Sequence, residues 1–192
     1  MRIISGSARG IRLATFSGRD IRPTPDRVRE AIFSILYSRL GELHGKSVLD
    51  LFAGTGAMAL EALSRGAAKA VTVDAGPQAA QTVAANARAC RFEGQLTHVR
   101  GEVAAALPRL AGQSVFDLIF LDPPYGRGLL DQTLGQIANL GLLSARGLIC
   151  GEAGAREAVA DAAGALLRID TRTYGATAIH FYTYAEQGSS PE

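Results

Sequence analysis

The chain has 192 residues, of which 47% are hydrophobic, and this length and composition fit one globular domain with a full core. No apolar run approaches the ~20 residues that cross a bilayer, and the first residues lack the apolar segment of a signal peptide. We therefore expect a soluble, cytoplasmic protein. Cys90 and Cys150 lie in apolar stretches, so we expect buried thiols, with no disulfide framework and no metal site.

The charges are distributed unevenly along the chain. Residues 1–30 carry seven Arg against three acids, a net charge of +4, whereas the rest carries thirteen basic and fifteen acidic residues, a net −2. This asymmetry predicts a basic N-terminal face directed at a polyanion. Eighteen of the twenty basic residues are Arg, whose planar guanidinium suits phosphates and bases. A GC-rich genome would give the same preference.

The first 44 residues are predicted to form a basic extension. Two β-like pieces, residues 2–4 and 10–14, are expected to pair as a hairpin. Thr24-Pro25-Asp26 then predicts a helix start, with a capping hydroxyl and a proline in the first turn. Apolar residues follow at helical spacing until Gly41, which predicts the helix end.

From residue 47 onward the pattern alternates between strand and helix. Strands are predicted at residues 48–51, 70–74, 96–100, 116–121 and 148–152, and helices at 57–65, 77–90, 103–110, 129–139 and 156–163. Two further strand-like runs, residues 167–174 and 178–184, predict an antiparallel closing pair. Apolar strands of this kind are typical of a parallel sheet covered by helices on both faces.

The predicted fold class is therefore α/β. We expect a seven-stranded, mostly parallel Rossmann-like sheet with an antiparallel last strand, preceded by the basic hairpin and helix. Neither a repeat nor a long linker divides the chain. The predicted boundaries are residues 1–44 for the extension, 45–186 for the catalytic domain and 187–192 for a disordered tail.

A glycine-rich segment, DLFAGTGA at residues 50–57, joins a predicted strand to a predicted helix. Gly54 and Gly56 permit a tight turn against a ligand, and open α/β sheets bind ligands at the carboxyl ends of their strands. The spacing also fits a dinucleotide fingerprint. Asp50 favours a cationic ligand such as S-adenosylmethionine, because a carboxylate here would repel a pyrophosphate. The structural alternative is an Asp that caps backbone amides.

Two further acids follow the next two predicted strands. Asp74 ends the second strand, where a carboxylate can accept both ribose hydroxyls of an adenosyl group. This position serves NAD and S-adenosylmethionine equally well. Glu102 follows the third strand and is a candidate contact for an adenine amino group, with a solvated side chain as the alternative.

The fourth predicted strand runs directly into Asp122-Pro123-Pro124-Tyr125. Two consecutive prolines fix an extended turn without amide hydrogens, so the Asp122 carboxylate and the Pro123 carbonyl can face one ligand group. Two acceptors suit the two hydrogens of a nucleobase amino group, and Tyr125 can stack on the base. This motif predicts methylation of an exocyclic amino group.

Together these sites resemble the class I S-adenosylmethionine-dependent methyltransferases, and more narrowly the RsmD-type family of 16S rRNA guanine-N2 methyltransferases. The resemblance runs nearly end to end. It is carried by RIISGSARGIRL (2–13), RPTPDRVREAIFSIL (22–36), DLFAGTGAMALEALSRGA (50–67), FDLIFLDPPY (116–125) and YGATAIHFYTY (174–184). The chain departs from the family at Asp74, usually Glu, at Gly76, usually an acid, and at Glu102, usually Asp. These departures change contact distances.

The resemblance implies a role for each set of residues. The cofactor S-adenosylmethionine is expected to contact Asp50, Phe52, Ala53, Gly54, Thr55, Gly56, Asp74, Glu102 and Asp122. The catalytic residues that hold the guanine are expected to be Asp122, Pro123, Pro124 and Tyr125. RNA is expected to bind Arg2, Arg9, Arg12, Arg19, Arg22 and Arg27, although a solvated basic hairpin is the alternative. Arg27 and Arg29 are candidates for facing the substrate cleft.

The expected partner of a monomeric enzyme is 16S rRNA, free or within an assembling small-subunit particle. An adenine-N6 methyltransferase acting on DNA or RNA is the alternative within the enzyme class, because Asp-Pro-Pro-Tyr serves that chemistry too. Two alternatives belong to other classes: a nicotinamide-dependent oxidoreductase and a non-catalytic RNA-binding assembly factor.

Overall fold

The strands and helices alternate as the hydrophobic pattern predicts. The computed structural model describes residues 1–16 and 25–185. In chain order the elements are α1 (Asp26–Leu40), β1 (Ser47–Leu51), α2 (Ala57–Ser64), β2 (Lys69–Asp74), α3 (Pro77–Cys90), β3 (Leu96–Arg100), α4 (Val103–Leu110), β4 (Phe116–Leu121), α5 (Leu129–Leu140), β5 (Leu143–Gly154), β6 (Ala162–Ala163), β7 (Leu166–Tyr174) and β8 (Thr177–Tyr184).

All eight strands form one sheet in the order β3-β2-β1-β4-β5-β8-β7-β6. The first five strands are parallel, β8 pairs antiparallel with β5 and with β7, and β6 pairs antiparallel with β7. The strand order reverses direction between β1 and β4, so a crevice opens there at the carboxyl ends of the strands.

Side chains of the central strands alternate between two hydrophobic clusters. On one face, Val48 of β1 and Phe120 of β4 pack with residues of α1, α2 and α3. On the other, Leu49 and Leu121 pack with residues of α4 and α5. Every residue of β1 is buried, and full burial of one such apolar side chain contributes roughly 1.5–3 kcal/mol. This arrangement explains the near-continuous apolar runs in the sequence.

The predicted α/β class, the parallel sheet and the antiparallel last strand are confirmed, but the strand number was wrong. The sheet gains an eighth strand, the two-residue β6, at its edge. β5 also begins at Leu143, five residues earlier than predicted.

The helix predicted at residues 156–163 was wrong. A turn follows β5, closed by a hydrogen bond from the Glu157 amide to the Gly154 carbonyl (2.8 Å). Side chains from elsewhere then bind the backbone of Ala160: Asp131 accepts from its amide (3.1 Å), and the Tyr182 hydroxyl donates to its carbonyl (2.9 Å). Tertiary contacts thus use backbone groups that a helix would have needed, and they override the helix propensity of this alanine-rich stretch.

The predicted N-terminal hairpin is reduced to a single antiparallel bridge, between Arg2 and Arg12. On one side of it, hydrogen bonds of 2.9 Å join Ile3 to Ile11 and to Gly10, and on the other side the Leu13 amide donates to the Met1 carbonyl (3.2 Å). Ile3 and Leu13 are buried in the same hydrophobic cluster as α1, α2 and α3, so residues 1–16 pack on the sheet domain.

Parts of three predictions lie outside the described residues. These are the capping Thr24, the basic residues Arg19 and Arg22, and the tail at 187–192. Both cysteines are buried free thiols. None of the helices in the described ranges is long and apolar enough to cross a membrane.

Candidate active site

A cavity of about 780 Å³ lies at the carboxyl ends of the parallel strands. Its lining includes residues of all three predicted sites, namely Asp50, Phe52, Ala53, Gly54, Thr55, Asp74, Glu102, Asp122, Pro123, Pro124 and Tyr125. The structure therefore brings together side chains that are up to 75 positions apart in the chain. Within the described part of the chain, no group of three His, Cys, Asp or Glu side chains is arranged as a metal site.

The loop after β1 has an unusual backbone. Phe52, Gly54 and Gly56 all have positive φ angles, of 61°, 53° and 74°. For Phe52 this conformation costs of order 1–3 kcal/mol, and such strain concentrates at functional sites. Gly56 is the N-cap of α2, and a Cβ there would lie 3.2 Å from Val83. Gly56 thus faces Val83 and, unlike Thr55 and Ala57, is not part of the cavity lining.

Asp74 connects the loop after β1 to the start of α3. One carboxylate oxygen accepts a hydrogen bond from the Gly54 amide (2.8 Å) and the other accepts from the Gly76 amide (2.7 Å). A carboxylate has about four acceptor positions. The side chain can therefore hold the loop and still accept hydrogen bonds from a ligand.

Asp50 is only 3% exposed and accepts a hydrogen bond from the Ala59 amide (3.1 Å). The amide-capping alternative is thus realised, while the side chain also lines the cavity. Burial raises the pKa of Asp50 to about 8, the Ala59 hydrogen bond partly opposes this, and the negative charge of Asp74 adds to it. A cation in the cavity would favour the ionised form.

The turn after β4 presents Asp122 and Tyr125 to the cavity, with Pro123 buried between them. Asp122 is reached by solvent through the cavity, yet the surrounding protein desolvates its carboxyl. Its pKa is raised by this burial and by the negative charges of Glu152 and Asp50. The Tyr125 hydroxyl donates to Glu152 and lies 3.2 Å from the Thr177 hydroxyl. Burial and the bond with Glu152 raise the pKa of Tyr125.

Sequence reasoning assigned no role to Glu152, which lies near the carboxyl end of β5. This side chain lines the cavity and is 9% exposed. The available signal was its position, because an acid at the end of a strand beside β4 reaches the same crevice.

Arg29 of α1 supplies positive charge to the cavity. The side chain is 1% exposed, and its Nη2 donates to the Arg2 carbonyl and to Asp26 (3.1 Å). Its Nε and Nη1 are buried without hydrogen-bond partners among residues 1–16 and 25–185. Burial lowers the pKa of Arg29, and the charges of Asp26 and Glu61 oppose that shift. Unpaired buried donors are costly, so an anionic ligand group would fit here.

The remaining predicted residues are distributed around this cavity. Glu102 is exposed at the N-cap of α4 and lines the cavity. The exposed candidates for RNA binding within the described ranges are Arg2, Arg9, Arg12 and Arg27. Arg2 lies 3.4 Å from the Asp26 carboxylate.

The fold and the site define a class I methyltransferase. The family model described as conserved hypothetical protein 95 matches residues 1–183, and the chain belongs to that family. The Bacillus subtilis protein YlbH is 35% identical over 183 residues, which cover 95% of this chain and 98% of that protein. Ribosomal RNA small subunit methyltransferase D of Escherichia coli is 34% identical over 149 residues, which cover 78% of this chain and 72% of that protein.

A solved structure agrees with these sequence relatives. The structure of yhhF from Escherichia coli is 30% identical, has a TM-score of 0.82, and is matched over 97% of this chain and 99% of that one. The family and the methyltransferase class predicted from the sequence motifs are confirmed.

Proposed function

We propose that this methyltransferase, whose cofactor is S-adenosylmethionine, methylates the N2 amino group of a guanine in small-subunit ribosomal RNA. The observation that carries the proposal is the single cavity in which the glycine-rich loop, Asp74 and the turn at residues 122–125 meet. The name of the Escherichia coli relative, which covers 78% of this chain, supports small-subunit rRNA as the substrate.

The cavity residues fit the cofactor group by group. Asp50 suits the ammonium, and the unpaired nitrogens of Arg29 suit the carboxylate. Asp74, already fixed by two backbone amides, suits the ribose hydroxyls. Glu102 suits the adenine amino group. Phe52 to Gly56 shape the wall against which the cofactor lies.

The chain's part in the reaction is to hold the amino group and remove its proton. When bound, S-adenosylmethionine supplies an electrophilic methyl carbon on a sulfonium centre. Held by Asp50, Arg29 and Asp74, it would give this carbon to the guanine amino nitrogen and leave as S-adenosylhomocysteine, with the electron pair of the carbon–sulfur bond kept on sulfur. Asp122 and the Pro123 carbonyl accept the amino hydrogens, and Asp122, whose pKa is raised, takes the proton that the nitrogen loses. Such positioning accounts for much of the rate enhancement.

The substrate side of the proposal involves the basic extension, residues 1–44, ahead of a catalytic domain at residues 45–186. Tyr125 stacks on a base that is unpaired or flipped out of its helix, while exposed Arg side chains such as Arg9 and Arg12 contact phosphates. We place the enzyme in the cytoplasm as a monomer acting on rRNA, free or in an assembling particle.

Replacement of Asp122 tests this proposal. Asp122→Ala should lower kcat by roughly 10²–10³-fold, the loss typical when one preorganised polar contact to the reacting group is removed. Asp122→Asn should retain part of the activity, because an amide oxygen still accepts a hydrogen bond. The measurement is methyl transfer to small-subunit rRNA, followed by mass spectrometry of its nucleosides.

The controls separate the mechanism from the substrate. The affinity of Asp122→Ala for S-adenosylhomocysteine should remain within a few-fold of the original, and N2-methylguanosine should be the product. A substrate with inosine at the target position, which lacks the amino group, should not react. If the product is N6-methyladenosine, the target base is adenine and not guanine. Full activity of Asp122→Ala would overturn the mechanism.

A further inference from the structure

Glu152 and Asp122 are neighbours across two parallel strands. The register of β4 and β5 pairs Leu121, the last residue of β4, with Gly151, so Asp122 follows β4 beside Glu152 of β5. Both side chains line the cavity, and the charge of Glu152 raises the pKa of Asp122. The site therefore holds two carboxyl groups side by side, whereas the proposed function uses only one of them, Asp122, for the amino group.

The Glu152 carboxylate is held in place. The Tyr125 hydroxyl donates to its Oε1 and also lies 3.2 Å from the Thr177 hydroxyl of β8. Through its hydroxyl, Tyr125 thus connects Glu152 and the turn after β4, where a base would stack, to Thr177 at the antiparallel end of the sheet. A carboxylate has about four acceptor positions, and the bond from Tyr125 takes one position on Oε1.

The hydrogen-bonding edges of guanine and adenine differ beside the amino group. In guanine, the ring nitrogen N1 next to the N2 amino group carries a hydrogen and donates. In adenine, the N1 next to the N6 amino group is an acceptor. Asp122 and the Pro123 carbonyl bind an amino group alike in both bases. A second carboxylate in contact with N1 favours guanine and repels the N1 lone pair of adenine.

We propose that Glu152 is the residue that selects guanine, by accepting the hydrogen of guanine N1 while Asp122 holds the N2 amino group. This inference rests on the proposed function, because it assumes that a purine amino group is bound at Asp122. The two adjacent carboxylates together match the row of donors that the guanine edge presents. A site built to bind an N–H rejects an analogue that lacks it far more strongly than a hydrophobic pocket can.

The experiment compares guanine with 2-aminopurine at the methylated position. 2-Aminopurine keeps the 2-amino group, but its N1 carries no hydrogen. The substrate is small-subunit rRNA, free or reconstituted into the subunit, in which the methylated position has been located by mass spectrometry and the base introduced by ligation. The unmodified enzyme should prefer guanine by at least 100-fold in kcat/KM.

The variant Glu152→Gln should reduce the ratio of kcat/KM on guanine to kcat/KM on 2-aminopurine at least tenfold. Its amide offers an oxygen to the N1 hydrogen of guanine and an NH₂ group to the N1 lone pair of 2-aminopurine. The matched control is Tyr125→Phe, which removes the hydrogen bond to Glu152 and leaves its carboxylate in the cavity. This control should lower the rates on both bases by a similar factor and preserve their ratio. Affinity for S-adenosylhomocysteine reports whether each variant is folded.

Each outcome supports or overturns the assignment. Equal narrowing in Glu152→Gln and Tyr125→Phe would show that Glu152 only orients the tyrosine. An unmodified enzyme that methylates 2-aminopurine nearly as fast as guanine would overturn the assignment even if Glu152→Gln failed to fold. If N2-methylguanosine forms and Glu152→Gln does not change the ratio of kcat/KM on guanine to kcat/KM on 2-aminopurine, this inference alone is overturned. N6-methyladenosine as product would instead defeat the proposed function.

Discussion

At the scale of single residues, the cavity is an acidic site with one buried cation. Asp50, Asp74 and Asp122 all face it, and Arg29 has two buried nitrogens without hydrogen-bond partners in the described ranges, 1–16 and 25–185. Burial raises the pKa values of Asp50 and Asp122, and the neighbouring carboxylates raise them further. A ligand that carries an ammonium and a sulfonium relieves this repulsion. Binding of such a cofactor should therefore release protons from carboxyl groups whose pKa is raised.

Proton release on cofactor binding should report the state of Asp50. Its pKa is raised to about 8 without ligand, so the carboxyl is protonated below that pH, and an adjacent ammonium favours ionisation. Binding of S-adenosylhomocysteine, which keeps the ammonium, should release about one proton from Asp50 at pH 6.5 and tighten as pH rises towards 8. Calorimetry in two buffers of different ionisation enthalpy measures this release.

The matched variant for that experiment is Asp50→Asn. An amide cannot ionise, so proton release should fall by about one relative to the unmodified protein. If both proteins release the same number of protons, Asp50 does not contact the ammonium and serves only to cap α2.

Some of these residues are visible in the sequence and others are not. Asp50, Asp74 and Asp122 could be assigned because each ends an apolar strand, and strand ends converge at one edge of a parallel sheet. The bond between Tyr125 and Glu152 could not, because it depends on how β5 lies beside β4. The sequence also does not distinguish the buried Arg29 from the exposed Arg27 of the same helix. Nor does it show that two nitrogens of Arg29 lack hydrogen-bond partners among the described residues.

At the scale of elements, the N-terminal segment is fastened to α2 and α3 by buried polar side chains. Glu61 of α2 accepts hydrogen bonds from the amides of Ile4 (2.7 Å) and Ser5 (3.1 Å). Asn86 of α3 bonds both the amide and the carbonyl of Ala14, and its side chain also donates to the Thr55 carbonyl (3.0 Å). The segment that carries the candidate RNA-binding residues is thus joined to the loop after β1, which lines the cavity.

Gly6 is the tightest point of this attachment. A Cβ there would lie 1.7 Å from the Ser64 carbonyl oxygen, whereas a Cβ on Gly10 would meet nothing within 4 Å. Both glycines have nearly the same positive φ, 84° and 86°, so the backbone cost of Ala is shared. Gly6→Ala should therefore lower the free energy of unfolding by about 1–3 kcal/mol more than Gly10→Ala.

Urea denaturation of the two variants measures this difference. Gly6→Ala should also speed amide hydrogen exchange at Ser7 and Ala8, which donate to the Ser64 carbonyl and hydroxyl (2.8 and 2.9 Å). Equal denaturation midpoints for Gly6→Ala and Gly10→Ala would mean that the segment is not packed on α2 in solution.

The elements that the sequence predicted correctly are those with strong periodicity. Strands β1 to β4 and helix α3 were predicted to within one residue, because burial on both faces or on one stripe dictates their pattern. Residues 156–163 have the composition of a helix, yet Asp131 and Tyr182 engage their backbone from elsewhere in the chain. Local helix propensity takes no account of such contacts with residues distant in the sequence. The two-residue β6 is likewise too short to leave a periodic signal.

At the scale of the whole molecule, exposed basic residues lie both on the N-terminal segment and on helices that cover the sheet. Arg9 and Arg12 belong to the N-terminal segment, whose Met1 and Phe16 line the cavity. Arg88 and Arg109 are exposed in the last turns of α3 and α4. Those helices run opposite to the strands, so their last turns lie at the end away from the cavity. The two pairs carry equal charge and differ in position.

Position should decide which pair matters for RNA. Replacing Arg9 and Arg12 together by Ala should weaken binding to small-subunit rRNA and reduce the slope of log K against log salt by roughly one to two, because each phosphate contact contributes about 0.7–0.9 to that slope. Replacing Arg88 and Arg109 lowers the net charge equally and should leave the slope nearly unchanged. Both double variants should bind S-adenosylhomocysteine with unaltered affinity. Filter-binding titrations across a salt series measure the slopes, and equal slopes for the two variants would mean that RNA senses only net charge and that the N-terminal segment makes no specific phosphate contacts.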